Sequence, residues 1–422
     1  MKHLRGALDM LARARLSPAL ARAGAEAGAS YRAAAAWAAA RGATVYGLTT
    51  FPGHLADRAE RPDPARFCAD LLASHAIGAP PWFSARETRA ITLAKVHAAA
   101  PGATLLTEAT YNAIVAAFHD PAFAPEIPRH ASYSSGDVIA GAHWARALLA
   151  HSPEGVGLAP GEPMALINGA FVHVGAAMAL VAPLREAWLA YLEAARRSLR
   201  HLDAHIALPA CEAPKWMRAS VAHLFSTGAA NTAQRRVQPP VSVRALPQSI
   251  DAAAWAVQGY LSAIDRALAE PSGNPLWTTL ELRPSGSFVA PGLSLAAGGL
   301  IDSLLMLAWL CVRRIEHFVS ARAGGAAPVD QAFALVQAPK LALAHLERMR
   351  RAHAARVFVS GGAVSEGVED FWTHGLEVND ALRLALEDLQ RLVALERAIG
   401  LSLERSYPAR DPEAPLEGLF PV

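Results

Sequence analysis

The chain has 422 residues, 53% of them hydrophobic and 18% charged, which suits a large folded core and excludes general disorder. Its 39 basic and 37 acidic residues leave a formal charge of +2, and the basic residues are scattered without interleaved aromatics. Neither a polyanion nor a nucleic acid is therefore expected as a partner.

The N-terminal stretch from Met1 to Arg41 is rich in Ala and Arg, carries Asp9 and Glu26, and lacks the apolar run of a secretory signal. It reads as amphipathic helical pieces. After a break at Gly42, Ala43 to Gly47 reads as an extended piece entering a loop with Pro52 and Gly53. Helical spacing covers Phe67–Ala76 and Ala85–Ala100, separated by Pro80-Pro81, and then Glu108–His119. Prolines 121, 125 and 128 punctuate the approach to Ala131-Ser132-Tyr133-Ser134-Ser135-Gly136-Asp137. This small, turn-forming stretch ends on Asp137, a good N-cap for a helix over Val138–Ala150.

From Met164 to Leu202 the chain predicts a long apolar helical stretch with a kink or break at Pro183. A Pro-rich break from Gln234 to Pro247 precedes long helices over Ile250–Ala269, Gly292–Ala321, Gln331–Ala354 and Leu376–Ala398. Val289–Val312 is apolar enough to raise a membrane span, but Asp302, Pro291 and three glycines interrupt it and no second span accompanies it. A buried helix is the better reading, with no membrane partner. The fold class is mostly α, with an irregular N-terminal part (residues 1–160) followed by a bundle of long helices (161–422). Three cysteines far apart, Cys68, Cys211 and Cys311, form neither a disulfide framework nor a CxxC site and suit a reducing, cytoplasmic compartment.

Several short motifs stand out from these apolar surroundings, each open to two readings when taken alone. Tyr46-Gly47 is a structural Tyr or a mobile phenol. His75 on its apolar helix is a core residue or a site residue, and Asn168 is a packing amide or a substrate contact. Arg244 is a surface Arg or a fork for a carboxylate. Glu369-Asp370 beside Phe371-Trp372 is a solvated loop or an acidic site. Ser134-Ser135-Gly136 is an ordinary turn or a tripeptide that cyclises on itself. His201 and His205, with Asp203 between and Cys211 beyond, have metal-ligand types; without HExxH they read as a solvated helix end, and no metal is expected.

In their order and spacing these pieces resemble the aromatic amino acid ammonia-lyase family, which includes histidine, phenylalanine and tyrosine ammonia-lyases and related aminomutases. In that family an Ala-Ser-Gly tripeptide followed by Asp closes into 4-methylideneimidazole-5-one (MIO). Ser134-Ser135-Gly136-Asp137 occupies its place here, with Ala142-His143 following. Tyr46-Gly47 with Thr50 and Gly53 resembles YGxNTGFG, and Ser74-His75-Ala76 the selectivity segment of histidine ammonia-lyases. Leu166-Ile167-Asn168-Gly169 is similar to LxNGT. Gln238, Ser242, Arg244, Pro247 and Gln248 are similar to QDxYSxRxxPQ. Ser285-Gly286 with Phe288, Phe333 with Gln337, and Glu369-Asp370 with Gly375 complete the series.

The resemblance implies an ammonia-lyase (fumarase/aspartase-like) architecture and a homotetramer whose sites draw loops from different subunits. It also implies a carbon–nitrogen lyase or aminomutase acting on an aromatic, histidine-like or tyrosine-like amino acid. The implied catalytic residues are Tyr46, Ser134, Ser135, Gly136 and Glu369, supported by Asp137. The implied substrate contacts are His75, Asn168, Arg244, Phe288 and Gln337. An electrophile that holds the amine and a base for the β-proton divide a difficult elimination into easier steps. A phenol titrating near ~10 would need its pKa lowered to serve as that base. The chain departs from the family at Ser134 (Ala), Val241 (the second Tyr), Pro239, Ser287, Val289, Thr49 and Phe51-Pro52. Ser134 leaves ring closure feasible, because Gly136 N attacks its backbone carbonyl. The other departures suit an altered site, or a silent homologue that binds a carboxylate ligand or a partner.

Overall fold

The structure is a computed structural model that describes residues 1–58, 63–133, 135–152, 157–201, 213–224, 238–323, 335–354, 363–406, 416 and 418–422. Ser134, Asp203, His205, Cys211 and Phe333 lie outside the described residues, as does the start of the helix expected from Gln331. The described chain is mostly helical, as expected. Its strands are one antiparallel pair, Leu276–Trp277 and Leu282–Arg283, with Leu276 opposite Arg283 and Trp277 opposite Leu282.

The chain divides into two compact units. The first combines Met1–Leu180, Leu261–Leu295 and Val357–Asp380; the second combines Val181–Tyr260, Ala296–Arg356 and Ala381–Val422.

At the centre of the first unit the helix Ala85–Ala99 packs along the helix Phe171–Ala179. The former starts on a capping box: Ser84 Oγ accepts from Glu87 N, and the Glu87 carboxylate accepts from Ser84 N at 2.8 Å. Its Ile91, Leu93 and Val96 are fully buried. Gly175 lets the two backbones touch, since a Cβ there would stand 2.6 Å from Ile91 N. A lysine is buried in this core. Lys95 is fully buried, donates to the Ala165 carbonyl, and holds its ammonium 4.5 Å from the Phe171 ring centroid. Burial lowers its pKa from 10.5 to about 7.

Three expectations change here. The stretch after Met164 divides into three helices, Glu162–Ile167, Phe171–Ala179 and Val181–His201. The first break falls at Asn168, which is extended, and Gly169, whose φ of 153° lies outside the helical range. The second break falls at Leu180, so the kink or break expected at Pro183 is a break, with Pro183 in the first turn of the new helix, where its missing N–H would be unpaired anyway. Ala43–Gly47 forms no strand; residues 43–45 are irregular and a turn begins at Tyr46. Asp137 does precede the helix Val138–His151, but in a left-handed conformation (φ 49°), with no capping hydrogen bond and almost no exposure.

The second unit contains the helices Val181–His201, Lys215–Leu224, Val241–Arg244 and Ala338–Ala354, and the greater parts of Leu246–Ala269, Pro291–Ala323 and Gly375–Ser406. Its interior holds a fully buried ion pair. Arg314 donates to both Glu396 oxygens at 2.6 and 2.9 Å and to the Tyr191 hydroxyl at 3.1 Å; Ser198 and Cys311 also donate to Glu396. Every polar atom of the carboxylate is thus engaged, the condition under which a buried pair is tolerated.

By length and composition alone, two stretches could cross a membrane: Glu162–Leu199, which sequence inspection passes over, and Pro291–Ser320. The apolar window of the first is wholly buried inside the protein, and 56% of the second is. Burial accounts for the apolarity of the first without a membrane.

Candidate active site

Two clusters in the first unit gather most of the residues singled out from the sequence. The first surrounds the Tyr46 phenol. The turn Gly53–Leu55 packs on the turn Ser365–Gly367, which brings the Tyr46 loop against the loop carrying Glu369. Gly53 N donates to the Tyr46 hydroxyl at 3.3 Å. Glu369 lies close enough to act electrostatically on Tyr46, and His75 close enough to act on Glu369. The Ser365 hydroxyl donates to Glu369 as well.

His75 closes the helix Pro64–His75, and its Nδ1–H donates to the Leu71 carbonyl at 2.8 Å. Its Nε2 is then the basic nitrogen of the ring. Burial raises the Glu369 carboxyl, against the pull of Ser365 and His75. Burial also raises the Tyr46 phenol above its ordinary 10; the Gly53 amide opposes this and Glu369 adds to it. The surroundings described for Tyr46 therefore do not lower the phenol as the chemistry expects: among the described residues the polar groups acting on it are the Gly53 amide and the Glu369 carboxylate.

The second cluster surrounds Gly136. Ser135 is partly buried and Gly136 buried. Gly136 adopts φ 86°, and a Cβ on it would stand 2.7 Å from Asn168 Oδ1 and 3.6 Å from the Phe288 ring. Only glycine fits there. The Gly136 carbonyl accepts from Gly169 N at 3.0 Å, so the break after the helix Glu162–Ile167 serves to hold this turn. Asn168 is buried, and its Oδ1 has no hydrogen-bond partner among the described residues. A buried amide oxygen left in that state beside a backbone turn marks a place where another group belongs. Ser272 braces the surroundings, accepting from Ala170 N at 2.8 Å and donating to the Ser287 carbonyl at 2.7 Å.

Sequence reasoning missed the residue that joins the clusters. Met164 fills the space beside Gly47, where a Cβ would meet its Cγ at 2.7 Å, and its Sδ accepts from Asn168 Nδ2 at 3.7 Å. The four-residue spacing from Asn168 was the available signal. Ser365 was missed too, and so was Tyr133, stacked on Trp372 with ring centroids 4.4 Å apart while its carbonyl accepts from His374 N at 3.1 Å.

Arg244 and Gln337 belong to the second unit. Arg244 ends the short helix Val241–Arg244; its Nε donates to the Pro239 carbonyl at 2.8 Å. The Gln238 side-chain oxygen, oriented to satisfy both groups, accepts from its terminal nitrogens at 3.3 and 3.2 Å. All three guanidinium nitrogens thus already donate to local acceptors, the Gln238 oxygen lying across the fork. Gln337 is exposed. Val241, at the position of the family's second Tyr, is 66% exposed.

A sequence profile described as aromatic amino acid lyase matches residues 7–402, nearly the whole chain. The chain belongs to the aromatic amino acid lyase family. That membership places it among carbon–nitrogen lyases. Histidine ammonia-lyase of Anaeromyxobacter sp. (strain K) is 27% identical over 417 residues, covering 86% of this chain and 81% of the relative. Histidine ammonia-lyase of Chloroflexus aurantiacus (strain J-10-fl) is 29% identical, covering 85% and 76%. Among solved structures, phenylalanine aminomutase of Pantoea agglomerans has a TM-score of 0.79 at 17% identity, covering 95% of this chain and 89% of that one. This last likeness is one of fold.

Proposed function

We propose that this member of the family eliminates ammonia from an aromatic or histidine-like amino acid, using an MIO group made from Ser134-Ser135-Gly136. The observation that carries the reading is the Gly136 turn: a left-handed glycine, a serine before it, and the unpaired Asn168 oxygen beside it. These residues fit the group. Ring closure requires Ser135 to lose water and Gly136 N to be free of other roles, and Asn168 offers an amide to hold the product. When formed, MIO supplies an electrophile for the substrate's amine.

The chain's own residues do the rest. Tyr46 takes the β-proton, and Asn168 orients substrate beside Gly136. His75 and Glu369 present a basic nitrogen and a carboxyl, a pair that suits a polar, imidazole-like side chain better than a phenyl ring. Arg244 binds the carboxylate and Gln337 lines the substrate's side chain, contributed through a homotetramer whose sites combine loops from different copies. Since burial and Glu369 raise the Tyr46 phenol, the cation that would favour its phenolate is assigned to another copy or to the substrate's own ammonium.

Intact mass spectrometry tests the first half. A native chain lighter by two waters, with the loss in the peptide spanning Ser134–Gly136, supports the ring. The second half is tested by incubating the protein with L-histidine, L-tyrosine and L-phenylalanine while following the absorbance of an arylacrylate and the formation of β-amino acid. An unmodified mass with no turnover of any of the three would replace this reading with a silent homologue that binds a carboxylate ligand.

A further inference from the structure

The loop that carries Glu369 is fastened at both ends to other parts of the first unit. At its start, the turn Ser365–Gly367 meets the Tyr46 loop so closely that a Cβ on Gly53 would stand 2.6 Å from Ser365 Oγ. His54 Nε2 also lies 3.9 Å from Glu366 Oε1. An antiparallel bridge then closes the loop on itself: Val364 N donates to the Glu369 carbonyl at 3.0 Å, and Glu369 N to the Val364 carbonyl at 3.3 Å. At its far end the loop reaches the residue that precedes Ser134-Ser135-Gly136. His374 N donates to the Tyr133 carbonyl at 3.1 Å, and the Tyr133 and Trp372 rings stack 16° from parallel with centroids 4.4 Å apart.

This loop does not keep its shape unaided. Ser365, Glu366 and His374 all adopt left-handed backbone conformations, with φ of 52°, 56° and 49°, where a Cβ crowds the following carbonyl. Residues other than glycine stay in such conformations only where surrounding contacts over-determine them. Val368 and Phe371 are exposed, so their apolar side chains do not supply that hold. What holds the far end is the bond from His374 and the aromatic stack. Trp372 Nε1 has no hydrogen-bond partner among the described residues, so the ring is held by contact, with Tyr133 on its face and His374 edge-on at 6.2 Å.

We propose that the Tyr133–Trp372 stack sets where Glu369 stands relative to the Gly136 turn, making both aromatics positioning residues for recognition of the substrate's side chain. The part that concerns substrate rests on Glu369 meeting that side chain, as proposed for the reaction. Only Ser134 and Ser135 separate Tyr133 from Gly136, so the stack registers the loop against the turn itself. Loss of the stack then loosens the hold on the side chain and leaves the elimination step alone.

Hydrogen exchange of the full chain without substrate tests the stack. Tyr133 is 53% exposed, so replacing it leaves the core untouched. Tyr133→Ala and Trp372→Ala should each speed exchange across residues 364–374 by roughly two- to tenfold, the scale of an aromatic pair's own interaction. The double variant should go no further than either alone, because the two rings act as one contact. Tyr133→Phe keeps the ring and should exchange like the unmodified chain. Unchanged exchange in either alanine variant, or additive effects in the double variant, would overturn the proposal.

Kinetics test the consequence, on whichever of L-histidine, L-tyrosine and L-phenylalanine is turned over. Tyr133→Ala should raise KM by roughly the same two- to tenfold factor while kcat stays within about twofold and the mass deficit of two waters persists. Tyr133→Phe should restore KM. A fall in kcat at unchanged KM would overturn the role in side-chain recognition. A chain that turns over none of the three contradicts the proposed reaction and not the stack, which the exchange measurement decides by itself.

Discussion

Gly141 is the point at which packing and the candidate site are most directly linked. It lies one turn into the helix Val138–His151, with its N donating to the Asp137 carbonyl at 2.8 Å. A methyl group on it would press against the carbonyl oxygen of Ile167 and stand 2.9 Å from both its C and its Cα, where ordinary contact begins at 3.4 Å. Backbone atoms cannot rotate out of the way, so Gly141→Ala must push the chain at Ile167 by about half an ångström or more. Asn168 is the next residue and moves with it, away from Gly136. Overpacking of this kind costs about 1–3 kcal/mol, offset by up to ~1 kcal/mol from alanine's better helix propensity. The expected net loss is about 1–2 kcal/mol in urea unfolding. Displacing a positioned group by this order of distance lowers turnover by as much as ~100-fold. Gly6→Ala, in the helix Lys2–Arg13 with nothing within 4 Å of the new methyl, is the matched control and should show only the helix-propensity gain of up to ~1 kcal/mol. A Gly141→Ala protein with an unchanged unfolding midpoint and unchanged turnover would refute the contact and the link to Asn168 together.

Tyr46→Phe should reduce elimination by about 100-fold or more, the scale of a lost general base, while the chain keeps its mass deficit of two waters. Full activity would assign the base elsewhere. Lys95 makes stability depend on pH in a defined direction: its folded pKa is depressed to about 7, so the unfolded chain binds more protons between pH 7 and 10.5 and stability rises with pH across that window. From pH 7 to 9 the gain is about 2 kcal/mol, and Lys95→Met should flatten it; a slope retained in the variant would assign it to other groups. In the second unit, Arg314→Met leaves Glu396 charged, buried and unpaired, and should cost about 3–5 kcal/mol in chemical unfolding. The double variant Arg314→Met/Glu396→Leu should recover most of that loss, and its failure to do so would mean that the two side chains do not act as a pair.

The elements were most legible where local chemistry marks their ends. Glu108–His119 was read to the residue, because Thr107 caps it, accepting from Thr110 N, and Asp120 leaves the helical region. Pro183 marked a break to within three residues, since a proline is accepted in the first turn of a new helix, whereas the break at Asn168–Gly169 carried no such signal in its apolar stretch. Of the candidate site, Tyr46, His75, Gly136, Asn168 and Glu369 were visible as residue types out of place in apolar surroundings. Their grouping was not visible: it depends on contacts between segments more than 300 residues apart, such as the turn beginning at Gly53 against the turn beginning at Ser365. The direction of the Tyr46 pKa was equally hidden, since it depends on how much water the fold leaves around the ring and on which charge lies next to it. Met164 passed as one more apolar residue in a buried helix.

That methionine has a consequence for how this protein can vary. Met164 is 1% exposed, and one thioether side chain fills both the gap beside Gly47 and the reach of the Asn168 amide. A bulkier residue at position 47 collides with it. A shorter one at position 164 opens a void under the tyrosine turn and removes a partner from the asparagine. Positions 47, 164 and 168 therefore behave as one inherited unit, and a lineage that changes the chemistry at either cluster must repack all three together.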